Sequence, residues 1–191
     1  VQAQGLSDKT TLSFDTLGGP VRPRLLASGL VEVEMGVPTF EPALVPFEAT
    51  AEAIDYPLEA NGETVTVAAL AIGNPHAVLR VNDVEHAPVA VLGPAIEAHP
   101  RFPRRVNVGF LQVLSRREGR LRVYERGAGE TLACGTGACA AFVAGVRWGL
   151  FDSQARLHLP GGTLELAWAG PGEPVFMTGP AVTVFEGTLP A

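Results

Sequence analysis

The stretch of sequence that decides the fold covers residues 127–148 and reads GAGETLACGTGACAAFVAGVRW. Its first part is a glycine-rich loop. Its second part, from Gly135 to Trp148, is rich in alanine and carries no charge before Arg147. A helix without a polar face is buried on nearly every side. The stretch therefore predicts a buried helix that strands must surround.

Short β-like runs fill most of the remaining chain, separated by glycine turns such as Gly18-Gly19 and Ser28-Gly29. One further helix is expected at 88–99, where Val89, Leu92 and Ile96 recur at helical spacing. The predicted fold class is α+β, with strands outnumbering helices. The expected strands are 11–14, 21–26, 30–35, 64–72, 77–81, 107–114, 121–125, 155–159, 163–168 and 175–185.

The composition argues against several classes of function. The chain has 191 residues, 47% of them hydrophobic, and a formal charge of −6. Its basic residues form no patch suited to nucleic acid or anionic lipid. No apolar run approaches the roughly 18 residues of a membrane span, so we expect a cytoplasmic protein without nucleic-acid or membrane partners. The four histidines are scattered and none pairs with a cysteine, so no metal site is expected.

The two cysteines are expected to differ in role. Cys134 stands at the start of the predicted helix, where unpaired N–H groups and the positive end of the helix dipole lower a cysteine pKa toward neutral. Gly135 and Gly137 would leave these amides open to a substrate carboxylate. Cys139 projects about 140° around the helix axis from Cys134, which assigns it to the core. The alternative for Cys134 is an inert packing role.

Polar residues in three other segments are further candidates. Glu125 and Arg126 end a predicted strand and point to opposite sides if it stays regular. An arginine suits a substrate carboxylate and a glutamate suits an ammonium group, although a solvated surface pair is the alternative. Asn74 and His76 lie in one predicted loop and Asn107 opens a strand, where polar side chains can face a cleft or simply form turns.

Three segments resemble the diaminopimelate epimerase family. The run ERGAGETLACGTGACAA at residues 125–141 closely resembles the family's second catalytic motif. GNPHAV at 73–78 resembles its Asn-Pro-His segment, and VNVGF at 106–110 resembles a third. The segments come in the family's order, and the likeness extends over essentially the whole chain.

The resemblance implies an isomerase that uses no pyridoxal or other cofactor. Such an enzyme epimerises diaminopimelate from the LL to the meso form, a step in lysine and cell-wall precursor synthesis. Two cysteines flank the α-carbon, and one thiolate removes the proton while the other thiol returns one on the opposite face. Cys134 matches the second of these cysteines, and Gly135 and Thr136 would bind the reacting carboxylate through their amides.

The resemblance also assigns the remaining site residues. It implies that the substrate's amino and carboxylate groups are held by Asn74, Asn107, Glu125 and Arg126. His76 and Glu125 would in addition bias the pKa values of the thiols. A nearby imidazolium lowers a thiol pKa, whereas a nearby carboxylate raises it.

The family's fold has two similar domains, each with a curved, mostly antiparallel sheet around a central helix. Residues 1–36 would be the remainder of the first domain, 37–178 the second domain, and 179–191 a strand that returns to the first. The proline-containing stretch 36–42 supports a boundary near residue 40. The family's first catalytic cysteine lies upstream of residue 1, so we expect an N-terminal segment of the first domain to be missing from this sequence. The resemblance further implies a homodimer and a small amino-acid substrate.

Other functions remain compatible with these residues. A cysteine hydrolase or acyltransferase would use Cys134 as nucleophile and His76 as base. Racemases of proline-like or hydroxyproline-like substrates share a Cys-Gly-Thr motif. A binding module, or an inactive partial chain, would hold an amino acid or phosphate at the glycine-rich helix start without chemistry.

Overall fold

The computed structural model describes residues 5–16 and 19–188, which contain thirteen strands and two helices. The helices are α1 (Val89–Glu97) and α2 (Gly135–Arg147). The strands are β1 (Phe14–Thr16), β2 (Gly19–Val21), β3 (Arg24–Leu25), β4 (Val31–Glu34), β5 (Tyr56–Ala60), β6 (Glu63–Ala71), β7 (Pro75–Arg80), β8 (Asn107–Ser115), β9 (Glu118–Glu125), β10 (Gly129–Thr131), β11 (Gln154–Leu159), β12 (Gly162–Trp168) and β13 (Val175–Gly179).

One large curved sheet organises the chain. Its strand order is β3-β4-β13-β12-β11-β9-β8-β7-β6-β5, and β10 pairs with β9 beside this path. Within the described residues, β11 pairs with β9 and β7 with β8 in parallel, whereas the other pairings of the sheet are antiparallel. Strands β1 and β2 form a separate ribbon. The predicted α+β class, with a mostly antiparallel curved sheet around a helix, is confirmed.

Helix α2 fills the inner face of this sheet. It contacts strands β6 to β9 and β11 to β13, and its residues from Gly137 to Gly145 are buried. A charged side chain here would lose its hydration without gaining a partner, which explains the uncharged sequence. The predicted buried helix is confirmed, with its last residue at Arg147 rather than Trp148. Cys139 is 0% exposed, so its assignment to the core is also confirmed.

Helix α1 packs on the opposite face of the same sheet. Strand β6 shows the two faces, because Ala68 and Leu70 join the cluster around α2 while Val67 and Ala69 join the cluster around α1. A strand buried on both faces has a continuous apolar run rather than an alternating one. The three apolar residues that predicted α1 are all buried. No helix in the described part of the chain is long and apolar enough to cross a membrane.

Some predicted strand positions are wrong. The strand predicted at 175–185 ends at Gly179, because no described strand pairs with the segment that follows, and Val184 is 90% exposed. The strand predicted at 11–14 lies later, at Phe14–Thr16. Strands β5 and β10 were not predicted, since a proline in β5 and glycine at the start of β10 resemble loop sequence. Of the predicted Gly18-Gly19 turn, Gly18 lies outside the described residues.

The contact between α2 and the chain that follows it gives a prediction about stability. A methyl group on Gly145 would lie 2.3 Å from Cδ2 of Phe151. The Phe151 ring is 2% exposed and stacks on Phe142, so it has little room to move aside. We expect Gly145→Ala to lower the free energy of unfolding by about 1–3 kcal/mol, measured by urea titration.

Helix propensity alone predicts the opposite result, a stabilisation of about 1 kcal/mol. That result would contradict the packing described here. The matched control is the same substitution in a Phe151→Leu background, where the smaller side chain leaves room for the methyl group and the loss should shrink.

Candidate active site

Cys134 occupies the N-cap position of α2 with an extended backbone, φ −139° and ψ 111°. Its side chain is buried, and Sγ lies 3.7 Å from Oγ1 of Thr136. The carboxylate of Glu125 and the backbone N–H of Gly137 lie close enough to the thiol to influence its ionisation. It therefore lies between the first turn of the helix and an acidic side chain.

These surroundings raise the pKa of the Cys134 thiol to about 11. Burial is the largest cause, followed by the hydrogen bond to Glu125. The N–H of Gly137 and the hydroxyl of Thr136 act in the opposite direction and are outweighed. The expectation of a lowered thiol pKa is therefore wrong for this structure, because a helix start stabilises a thiolate less than burial beside a carboxylate disfavours it.

The glycines of the helix start accommodate neighbouring side chains of the protein itself. A Cβ on Gly137 would lie 3.2 Å from both Cβ and Sγ of Cys134, and one on Gly135 would lie 3.2 Å from Cε of Met177. These glycines were expected to leave space for a ligand. In the structure they leave space for the side chains of Cys134 and Met177. The amides of Gly135 and Thr136 lie in the first turn, whose N–H groups have no acceptor within the helix.

Glu125 and Arg126 diverge at the end of β9, as expected for adjacent residues. The Glu125 carboxylate accepts a hydrogen bond of 2.5 Å from Oγ1 of Thr131 and faces Cys134. The exposed Arg126 side chain instead donates from Nη1 to the carbonyl of Arg104 at 3.1 Å. Glu125 is thus directed at the thiol, whereas Arg126 reaches the rim of a neighbouring cavity.

That cavity has a volume of about 320 Å³ and is lined by Arg126, Asn74 and Arg104 among others. Cavities of about 580 and 640 Å³ elsewhere in the described residues include none of the predicted site residues in their walls. The smaller cavity is the one that adjoins the candidate site. It offers a cationic side chain and an amide to a ligand.

Asn107 joins the three motifs. It is 3% exposed, its Nδ2 donates to the carbonyl of Pro75 at 3.1 Å, and its Oδ1 accepts from the N–H of Arg126 at 2.9 Å. The parallel register of β7 and β8 places His76 opposite Asn107. The Asn107 side chain thus connects the start of β7 with the turn that follows β9. The prediction that His76 lies in a loop is wrong, because this residue belongs to β7.

His76 is buried and lies with Nε2 2.9 Å from Oδ1 of Asn74. Burial, and to a lesser extent the charge of Arg126, lower the pKa of His76 to about 3. The ring is therefore neutral near pH 7, and since an amide oxygen only accepts, Nε2 donates to Asn74. The expectation that a nearby imidazolium lowers the thiol pKa is therefore wrong.

Several residues at the site were not predicted from the sequence. Thr131 binds Glu125, and Arg104 accepts from Arg126. Glu97, at the end of α1, is buried and accepts from the N–H of Gly127 at 3.0 Å. Of these residues, only Glu97 could have been recognised from the sequence, because it is an acidic residue at the end of an otherwise apolar helix.

The predicted site residues are brought together at the N-terminal ends of β7, β8 and α2 and the C-terminal end of β9. They are connected through Asn107 on one side and the Glu125 contact with Cys134 on the other. The arrangement combines a thiol with free amide donors, which is suited to proton abstraction beside a carboxylate. Within the described residues no group of three His, Cys, Asp or Glu side chains could hold a metal ion. The residues brought together are Asn74, His76, Asn107, Glu125, Arg126, Cys134, Gly135 and Thr136.

Burial of a neutral His76 makes stability depend on pH. Its pKa falls from an ordinary value of 6.5 to about 3 on folding. Below pH 6.5 the unfolded chain binds a proton that the folded chain does not, so stability is fully present above this pH and is lost as the pH falls toward 3. We expect His76→Gln to remove a slope of about 1.4 kcal/mol per pH unit between about pH 6 and 4, measured by urea unfolding at a series of pH values.

The control is His86→Gln. The exposed His86 ring pairs with Asp83, which raises its pKa, so its loss cannot remove a slope of this sign. A wild-type slope in His76→Gln would show that another group causes the acid sensitivity.

The contact between Glu125 and Cys134 predicts the reactivity of the thiol. Since the Glu125 carboxylate raises the pKa of Cys134, Glu125→Gln should increase the rate of iodoacetamide alkylation at pH 8 by roughly tenfold. The modified residue is identified by fragment mass spectrometry. The control is Glu130→Gln, in the neighbouring strand β10, because Glu130 pairs with Arg122 instead. Equal rates in Glu125→Gln and the wild type would contradict the described contact.

The sequence model described as diaminopimelate epimerase matches residues 68–184. A diaminopimelate epimerase of Stutzerimonas stutzeri is 59% identical over 184 residues, which cover 96% of this chain and 67% of that protein. One from Chromobacterium violaceum is 56% identical over 189 residues, covering 99% of this chain and 68% of that protein.

Solved structures agree on the fold. A probable proline racemase from Agrobacterium radiobacter superposes with a TM-score of 0.62 at 17% identity, over 92% of this chain and 59% of the other. A PhzF-family phenazine biosynthesis protein from Bacillus anthracis gives 0.60 at 12% identity, over 94% and 68%. At such low identity these likenesses concern the fold alone. The family match and the closely similar curated proteins, taken with the three motifs gathered around Asn107, establish that this chain belongs to the diaminopimelate epimerase family.

Proposed function

We propose that this chain takes part in the epimerisation of diaminopimelate at its α-carbon, from the LL to the meso form, without a cofactor. The observation that carries the proposal is the position of Cys134 at the start of α2, beside Glu125 and within a family motif. The names of the curated relatives support the substrate. The reaction belongs to lysine and cell-wall precursor synthesis.

Cys134 acts as one of the two bases in the proposed reaction. Its ionised sulfur takes the α-proton, the C–H bond breaks, and the electron pair moves into the adjacent carboxylate. The amides of Gly135 and Thr136 stabilise the charge that develops on the carboxylate oxygens. The proton remains on sulfur, and a second thiol completes inversion from the opposite face.

The thiol needs help from the substrate to ionise. With a pKa of about 11 in the unliganded structure, roughly one thiol in a thousand is ionised at pH 8. Burial is the main cause of this pKa, and a substrate ammonium group at Glu125 would offset the part that the carboxylate adds. The base would then form when the substrate is present, and would be strong because its pKa is still above the ordinary range.

Cys139 is not the second thiol. It is 0% exposed in the core around α2, and burial raises its pKa still further than that of Cys134. The proposal therefore concerns the half of the two-base reaction that Cys134 performs. A hydrolase using His76 as base is less well supported, since the low pKa of this buried ring makes it a weak base at neutral pH.

The division into domains at residues 36 and 178 is part of the same proposal. It is supported by the core, because the buried members of both hydrophobic clusters lie between residues 45 and 175. Strand β4 of the first segment pairs with β13 at the end of the second domain. The resemblance to the family further supports a small amino-acid substrate, a homodimer and a cytoplasmic location.

Exchange of the α-proton tests the role of Cys134, because it needs only one base. The protein is incubated with LL-diaminopimelate in deuterated water, and deuterium incorporation is followed by mass spectrometry. We expect Cys134→Ala to reduce exchange by about 10² to 10⁴, the range of a general base. Cys139→Ala is the control and should leave exchange within about twofold of the wild type. Unchanged exchange in Cys134→Ala would rule out the role proposed for this thiol.

A further inference from the structure

Two consecutive N–H groups at the end of β9 are bound by buried side chains. The N–H of Arg126 is bound by Asn107, and the N–H of Gly127 by Oε1 of Glu97 at 3.0 Å. These acceptors come from the start of β8 and the end of α1. The turn that follows Glu125 is therefore held from two different elements.

Glu97 is an unusual residue to bury. It is 5% exposed, in a helix whose residues before it are apolar. Its charge is compensated by Nη1 of Arg105, which lies 3.2 Å from each carboxylate oxygen. Arg105 has φ of 58°, in the left-handed region that non-glycine residues rarely adopt. A buried carboxylate with a partner in this conformation is costly, which points to a role beyond packing.

The position of Glu97 indicates what it does. Gly127 follows directly on Glu125 and Arg126, the two residues that face the thiol and the cavity. We propose that Glu97 is a positioning residue, whose carboxylate binds the Gly127 N–H and so fixes the direction in which Glu125 and Arg126 leave the sheet. The proposal deepens the proposed function, on which it rests for the roles of these two side chains.

Glu97 acts through the turn rather than through its charge. Its carboxylate contacts Gly127 and Arg105, and its backbone carbonyl accepts from Val106. The reach of the side chain to the Gly127 N–H is therefore the property that matters. A side chain of equal length with a neutral acceptor should preserve the site, and a shorter acid should not.

The test compares Glu97→Gln, Glu97→Asp and Glu97→Ala by the pH dependence of Cys134 alkylation. Glutamine keeps the reach to Gly127 and loses the charge, whereas aspartate keeps the charge and loses the reach. We expect Glu97→Asp and Glu97→Ala to raise the alkylation rate at pH 8 about fivefold, as Glu125 moves away from the thiol. Glu97→Gln should stay within about twofold of the wild type.

A double-mutant cycle separates this role from a general loosening of the structure. In a Glu125→Gln background, Glu97→Asp should change the rate by less than about twofold, because the group through which it acts is already gone. An equal increase in both backgrounds would overturn the proposal, as would a wild-type rate in Glu97→Asp. If Glu97→Ala does not fold, Glu97→Asp carries the test, with folding checked by circular dichroism.

Alkylation of Cys134 can be measured without epimerisation of a substrate. The proposed function and the positioning role of Glu97 can therefore be contradicted independently. Absence of α-proton exchange with diaminopimelate in the wild type would defeat the proposed function and leave the role of Glu97 at the thiol standing. Where exchange is present, Glu97→Asp should raise KM through Arg126 more than about fivefold, while Glu97→Gln should not. A KM raised equally by both variants would also overturn the proposal.

Discussion

Between Gly137 and Gly145 the side chains of α2 pack against strands and are buried. This enclosure restricts the helix to small or apolar residues and excludes charge. It also limits where chemistry can occur, because the residues from Gly137 to Gly145 are enclosed and the first turn has N–H groups without an acceptor in the helix. Cys134 occupies the N-cap position that precedes this buried part of the helix.

This burial and the helix start have opposite effects on the pKa of the Cys134 thiol. Burial and Glu125 favour the protonated form, while the helix start favours the thiolate. The Glu125 carboxylate accepts a hydrogen bond from Thr131, which fixes its side-chain conformation near the sulfur. In the proposed function, a base held in this way stays protonated until a ligand brings positive charge to Glu125.

Sequence reasoning predicted the parts of the fold that depend on local pattern. The helix from Gly135 was predictable because a long uncharged, alanine-rich run has few other solutions. Strand β5 was missed because Pro57 and Glu59 resemble loop residues, although the strand alternates between buried and exposed side chains. The site residues were proposed from the motifs, and the structure places them at neighbouring ends of β7, β8, β9 and α2.

The sequence could not predict properties that depend on how deeply a side chain is buried or on contacts between residues distant in sequence. The direction of the Cys134 pKa shift was wrong because burial cannot be read from a helix start. The neutrality of His76 was missed for the same reason. Glu97 reaches Gly127 across 30 positions of sequence, and such a contact exists only once α1 is packed on the sheet.

The parallel pairing of β7 and β8 has a consequence for how the chain can vary in length. His76 and Asn107 are opposite each other because of strand register, and not because of the number of residues between them. The part of the connection that precedes α1 can therefore vary in length with less effect on the site than the part that follows it, which carries Arg104 and Arg105. A single insertion within β7 or β8 would instead turn the following side chains to the other face of the sheet and separate the two motifs.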